Sequence, residues 1–334
     1  MNFLKLCFVF FVFTASKSLA LDITVNIPIF EPLSKSLTTS IPGSSNIILT
    51  KKDLIKYSNS SINQILDKEV GIKNRSIYGN NSSGSKSTID IRGMGAQAKS
   101  NVLILINGQR LNNIDMSEID FPSIPMESID RIEIFKGNSA TVLYGDGAIG
   151  GTINIITNPE INKKSNNKII YKNGSFNNKE IIWNNNQSYN NYNISTYFNH
   201  SETDGFRDEN EQQQNNFTSE IRFPRSNSDH FIAASFSEQI MSTPSDRSQD
   251  QLYTDRQGSD TPDDFVNSEG GSFLYSSSYK LKDNLDFLIN SSFRIKDSHS
   301  DLQSTNYPSY SDTTLTNYQL TPRIKHLSSF FGKN

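Results

Sequence analysis

Glycine places the tightest constraint on what this chain can fold into. Between Thr88 and Thr157, Gly93, Gly95, Gly108, Gly137, Gly145, Gly147, Gly150 and Gly151 punctuate three short apolar runs, Val102–Ile106, Ile129–Phe135 and Thr152–Ile156. Each run is rich in Val or Ile and bounded by Gly, Asn or Pro, the pattern of buried strands between tight turns. Glycine at this density predicts backbone with positive φ, or backbone lying close against other backbone. The stretch reads as a small compact module without a catalytic centre.

Two nucleotide-binding patterns occur nearby, and both fail on context. Gly79–Ser87 nearly spells a phosphate loop, but Ser85 separates Gly84 from Lys86, and a strand over Ile89–Arg92 follows where a helix is required. Gly145-Asp146-Gly147-Ala148-Ile149-Gly150 is a literal G-x-G-x-x-G. A dinucleotide fold needs a strand before it and a helix after it. Here Ser139–Tyr144 reads as a helical turn and the strand Thr152–Thr157 comes afterwards, so no helix N-terminus faces a pyrophosphate.

Residues 1–20 have the layout of a cleavable signal peptide: Lys5, an apolar Leu6–Ala15, then Ser18-Leu19-Ala20. Ten apolar residues are too few to span a bilayer, which takes ~20. Cleavage removes the single Cys7 with Lys5 and Lys17, taking the formal net charge from −3 to about −5. That balance gives no basic face for nucleic acid. Residues 21–46, with Pro28, Pro32, Pro42 and Gly43, form a polar linker. Two short helices follow. Thr50 caps Lys51–Tyr57 with Asp53 at the third position. Ser60 or Ser61 caps a second helix with its apolar stripe on Ile62, Ile65 and Leu66, and Gly71 ends it.

From residue 159 the texture changes to strands of roughly 9–14 residues that alternate apolar with polar side chains. Tyr192, Ile194, Thr196 and Phe198 share one face, as do Phe217, Ser219, Ile221 and Phe223, then Ile232, Ala234 and Phe236. Phe273, Tyr275 and Tyr279 continue the pattern, followed by Leu285, Phe287, Ile289, Phe293 and Ile295, and by Tyr318, Leu320 and Ile324. Short turns (Asn190-Asn191, Asp283-Asn284) alternate with long loops, as in a transmembrane β-barrel. The long loops His200–Gln214 and Met241–Ser268 carry acid, and hard oxygen ligands of this kind suit calcium. The spacing of a calcium hand is missing, so the loops read as solvated. His200, His230, His299 and His326 are scattered, and neither H-E-x-x-H nor G-x-S-x-G occurs. No enzyme, resident metal or cofactor is expected.

Four motifs over about seventy residues carry a family resemblance. They are Ile91-Arg92-Gly93-Met94-Gly95, then Val102–Gly108, then Ile129–Ile134 with Lys136-Gly137, and finally Leu143-Tyr144-Gly145 running through Gly150-Gly151 to Thr157. In this order they resemble the plug domain of TonB-dependent outer-membrane receptors. The resemblance implies an α+β plug at 47–158 followed by transmembrane antiparallel β-barrel strands at 159–334. It implies a TonB box at Asp22, Ile23, Thr24 and Val25, pairing as an added strand with TonB and its inner-membrane energising complex. Ligand contacts at the plug apex fall to Tyr78, Asn80, Asn81 and Ser82 and to Asn112, Asn113, Asp115 and Ser117. Charges at Arg92, Asp130, Arg131, Glu133 and Lys136 would hold the plug against the barrel wall. Alternation along Ile129–Phe135 sends Ile132 and Ile134 to one face and Arg131 and Glu133 to the other.

The implied partners are TonB, outer-membrane lipid and a metal-chelate ligand: ferric siderophore, haem or cobalamin. Family barrels have about 22 strands around a plugged lumen. Of 334 residues, 176 follow Asn158, enough for about eight strands at roughly twenty residues each. The expectation is therefore an incomplete barrel, the N-terminal part of a receptor, as an open sheet around the plug. A passive porin or adhesin-like barrel and a non-transporting plug-like binding module are the competing readings.

Overall fold

A computed structural model describes residues 45–57, 60–76, 87–113, 116, 119, 121–137, 147–157, 165–261, 263–303 and 308–326. The expected signal peptide, Asp22–Val25, Tyr78, Asn80, Asn81, Ser82, Asp115, Ser117 and the Ser139–Tyr144 turn lie outside the described residues.

The first part is an α+β unit. Its strands are β1 (Ser45–Thr50), β2 (Ile72–Ser76), β3 (Ser87–Ile91), β4 (Val102–Ile106), β5 (Gln109–Arg110), β6 (Ile129–Lys136) and β7 (Gly151–Thr157). Five of them form a sheet in the order β1-β6-β7-β4-β5, while β2 and β3 pair separately. The three apolar runs of the sequence supply its centre, β6, β7 and β4. All seven residues of β7 are buried, as expected of a strand with a neighbour on each side. Its pairing with β4 is parallel and that with β6 antiparallel. The core joins Ile104, Ile132, Ile134, Ile153 and Ile155 to Leu54, Ile65 and Leu66 of the helices.

The caps form where the sequence places them. Thr50 and Asp53 make a capping box on α1 (Lys51–Ile55), and Ser61 with Gln64 does so on α2 (Ile62–Asp67). The hydrogen bonds from Lys56 and Thr50 hold Asp53 down at about 2. Gly71 then turns the chain with φ 77°, a conformation that costs glycine nothing. A third short helix, α3 (Ala98–Asn101), leads into β4.

The second part is one antiparallel sheet, eight-stranded among the described residues: β8 (Asn166–Asn173), β9 (Lys179–Tyr189), β10 (Tyr192–Thr203), β11 (Gln212–Arg222), β12 (Ser228–Ser242), β13 (Phe265–Lys282), β14 (Leu285–Leu302) and β15 (Ser309–His326). The strands lie in sequence order, and β8 and β15 stand at its two edges. The expected number of strands is borne out. Their length is not: β13, β14 and β15 run 18 residues each. A tilted strand crosses a bilayer in ~9–11 residues, so these ladders continue past a membrane's width.

Register turns the alternation of single strands into rows across the sheet. Trp183, Phe198, Phe217 and Phe236 are successive partners on β9 to β12. Ala234, Phe273, Phe293 and Tyr318 continue a second row from β12 to β15. Phe217, Phe236, Phe273 and Tyr318 remain solvent-accessible on this face. The opposite face of β11 is polar and buried: Gln212, Gln214, Asn216, Thr218, Glu220 and Arg222. A sheet that exposes its apolar face and covers its polar one has the reverse of the usual soluble pattern, and matches a lipid-facing barrel wall.

Candidate functional site

The polar face of the sheet is covered by the α+β unit, and their junction is built from few long side chains. On the unit's side, β4 and β5 form a two-residue hairpin through Asn107-Gly108, both with positive φ. Asn107 ties this turn to the end of β7: its amide donates to Thr157 Oγ1 at 2.7 Å, and Thr157 N–H donates to Asn107 Oδ1 at 2.9 Å. Thr157 and Glu220 of the wall line the same small cavity.

After the hairpin, Asn112 substitutes for a missing strand partner. Ile104 N–H donates to Asn112 Oδ1 at 2.7 Å, while Asn112 Nδ2 donates to Val102 O and Lys99 O at 2.9 and 3.3 Å. Asn113 faces the wall instead: Arg294 on β14 donates to its Oδ1 at 2.6 Å and to Leu111 O at 2.8 Å. Around these bonds lies a cavity of about 160 Å³, lined by Gln109 and Arg110 on one side and Ser235, Gly270, Ser272 and Arg294 on the other. A larger cavity of about 820 Å³ opens between Phe121 and Glu127 of the unit and Tyr197, Gln212 and Gln214 of the wall. Glu127 Oε2, Gln212 Oε1 and Gln214 Oε1 are buried without protein partners, and buried acceptors of this kind are met by water. Burial pushes the Glu127 carboxyl above its ordinary value.

The charges assigned to the wall from the sequence have the following contacts within the α+β unit. Arg131 bonds to Asp130 and Glu133, both at 2.9 Å and both on its own strand. Glu133 is wholly buried beside Asn154, its register partner on β7. Desolvation pushes its carboxyl upward, against the pull of Arg131 and Asn154. Lys136 donates to Val70 O, and the Arg92 guanidinium lies against Gly137. The physical reason is the position of β6 between β1 and β7 in the five-stranded sheet, which sets Glu133 beside Asn154; a buried carboxylate needs donors within reach. The turn Arg92–Gly95 is held by Asp90, whose two oxygens accept Met94 N–H at 2.7 Å and Gly95 N–H at 2.9 Å.

At the end of the sheet opposite the short turns, the loops pack on one another. Arg207 donates to Ser245 O and Gly258 O at 2.6 and 2.9 Å. Arg247 pairs with Asp255 and Asp260 at 3.0 and 3.1 Å around a short helix, α4 (Gln249–Thr254). Burial, with Arg247 near, lowers Arg207 from the usual guanidinium range. The acid read as solvated thus serves in part to hold arginine. Among the described residues, no group of three or more His, Cys, Asp or Glu could hold a metal ion.

Of the expected ligand-facing residues that are described, Asn112 turns into the unit and Asn113 into the junction. The sequence reading passed over Arg294, Glu220, Thr157 and Asn107. Arg294 had a legible signal, a charged residue between Phe293 and Ile295 and so on the opposite face. The others depend on which strands meet.

Residues 38–152 match the family model described as TonB-dependent Receptor Plug Domain. Among solved structures, the unliganded ferric citrate transporter FecA superposes with a TM-score of 0.74 at 14% identity, covering 86% of this chain and 45% of that one. The ferric yersiniabactin uptake receptor FyuA from Yersinia pestis gives 0.69 at 16%, covering 86% and 46%. A ferric enterobactin receptor (PfeA) mutant from Pseudomonas aeruginosa gives 0.63 at 17%, covering 86% and 47%. The chain thus spans less than half the length of each. Its α+β unit matches the plug domain of TonB-dependent receptors, and the chain has the fold of such a receptor's plug together with the adjoining wall of its barrel.

Proposed function

We propose that the chain serves TonB-dependent uptake of a scarce metal-chelate nutrient across the outer membrane. One observation carries this reading: a plug domain lies against the buried polar face of a sheet whose accessible face carries aligned aromatic and aliphatic rows. An active transporter needs both parts, a stopper that blocks passive flow and a wall that sits in lipid. A passive pore has no use for the first. An open edge in lipid leaves backbone groups unsatisfied at several kcal/mol each. On this reading, β8 and β15 are where the remaining strands of the barrel join.

Met1–Ala20 directs export, and Asp22–Val25 is the strand offered to TonB on the periplasmic side. The side of the short turns is periplasmic, and the side of the Arg207–Arg247 loops is extracellular. Tyr78, Asn80, Asn81, Ser82, Asn113, Asp115 and Ser117 face the ligand, with Asn112 holding the segment in place. The names of the three similar receptors support a ferric chelate as cargo; haem and cobalamin are the alternatives.

Deleting Asp22–Val25 from the full-length protein tests the reading in cells. Uptake of a radiolabelled ferric chelate should stop while surface binding persists. Unchanged uptake would favour a passive barrel, and recovery in the soluble periplasm would favour a binding module; either result sinks the proposal. Competition among ferric citrate, a ferric catecholate, haemin and cobalamin then assigns the cargo.

A further inference from the structure

Arg294 has small side chains beside it on β13 and β12, among them Ser272, Gly270 and Ser235. Its register partners are Ser272 on β13 and Asn317 on β15, and beyond Ser272 comes Ser235, with the two hydroxyls 2.7 Å apart. Small side chains leave the cavity of about 160 Å³ between wall and plug, and the Arg294 side chain crosses it. Its two bonds, to Leu111 O and Asn113 Oδ1, bracket Asn112, which is itself bonded to the backbone of β4 and its approach. The segment 111–113 is therefore held from within the plug by Asn112 and from the wall by Arg294.

We propose that Arg294 is a positioning residue, through which the barrel wall fixes Leu111–Asn113 at the plug apex. The inference rests on the apex reading above for its consequence: apex geometry would then depend on a wall residue that never touches the ligand. A planar guanidinium suits the task, because its fixed fork serves two acceptors at once. Bonds to a charged donor are also stronger than neutral ones. Without it, Leu111 O and Asn113 Oδ1 lose these two donors.

The test is residue-resolved hydrogen exchange on the full-length protein in detergent micelles, comparing wild type with Arg294→Gln and Arg294→Lys. Leu111 N–H, which donates to Ile104 O, and Ile104 N–H, which donates to Asn112 Oδ1, are the reporters. Both should exchange about tenfold faster in Arg294→Gln, recover to within about threefold of wild type in Arg294→Lys, and leave the β13–β14 ladder unchanged. Unaltered exchange at both reporters would overturn the proposal. So would equal acceleration along the β13–β14 ladder, since Arg294 would then serve the wall alone, and so would no recovery with lysine. The readout needs no transport, so its failure leaves the uptake reading standing, and failure of the deletion experiment leaves Arg294 in place.

Discussion

Replacing Phe217 with arginine should separate a lipid-facing wall from a sheet that faces water. Phe217 pairs with Phe198 on one side and Phe236 on the other. The Tyr189–Tyr192 stack, with ring centroids 4.5 Å apart, marks the short-turn rim. Phe198 lies six residues along β10 from Tyr192, about 20 Å at strand rise. With a tilt near 40°, that is about 15 Å of height in an apolar band about 25 Å tall. Phe217 therefore sits close to the middle of the band, where an arginine costs about 2–4 kcal/mol, against about 0–1 near the interfaces. Phe217→Arg should lose about 3 kcal/mol, a factor above one hundred in the folded-to-unfolded ratio, and Tyr192→Arg no more than about 1 kcal/mol. The assay is the fraction of full-length protein that assembles in lipid vesicles into a heat-modifiable species, titrated with urea. Equal effects at the two positions, or none at Phe217, would refute the assignment of this face to lipid.

Three further outcomes follow from the plug. Asn112→Ala removes the acceptor of Ile104 N–H and the donor to Val102 O, so local protection at Ile104 should fall by about 2–3 kcal/mol in hydrogen exchange. Gly151→Ala places a Cβ 2.5 Å from Phe135 O; since that contact is backbone, β6 and β7 must part, at about 1–3 kcal/mol, measurable as exchange along both strands. Glu133 is held above its ordinary value by burial, so the folded plug keeps that proton longer than the unfolded chain. Its penalty is absent below the unfolded carboxyl value and grows as pH rises through the folded one. Glu133→Gln should therefore flatten the decline in plug stability across that window, seen by exchange at β6 between acid and neutral pH; an unchanged slope would contradict the assignment.

Much of this was readable in the chain before folding. Period-two alternation places Phe217 and Phe293 on one face and Thr218 and Arg294 on the other in any strand, because side chains must point to opposite sides of a pleat. The caps at Thr50 and Ser61 are equally local, since the side chain that answers each orphan N–H lies within four residues of it. For the same reason, the family motifs were visible without coordinates: they are contiguous stretches of strand and turn.

What the sequence could not decide is which strands become neighbours. Glu133 carries the same charge whether its strand ends beside the barrel or inside the plug. Only the order β1-β6-β7-β4-β5 sets it next to Asn154. Asn112 reads as a polar loop residue until the Ile104 N–H of β4 needs an acceptor and this side chain supplies it. Arg294 meets Leu111 and Asn113 across more than 180 residues. Local pattern is set by bond geometry within a few residues. Contacts at such separation exist only once the whole chain has paid the entropy of bringing its parts together, and so belong to the tertiary structure.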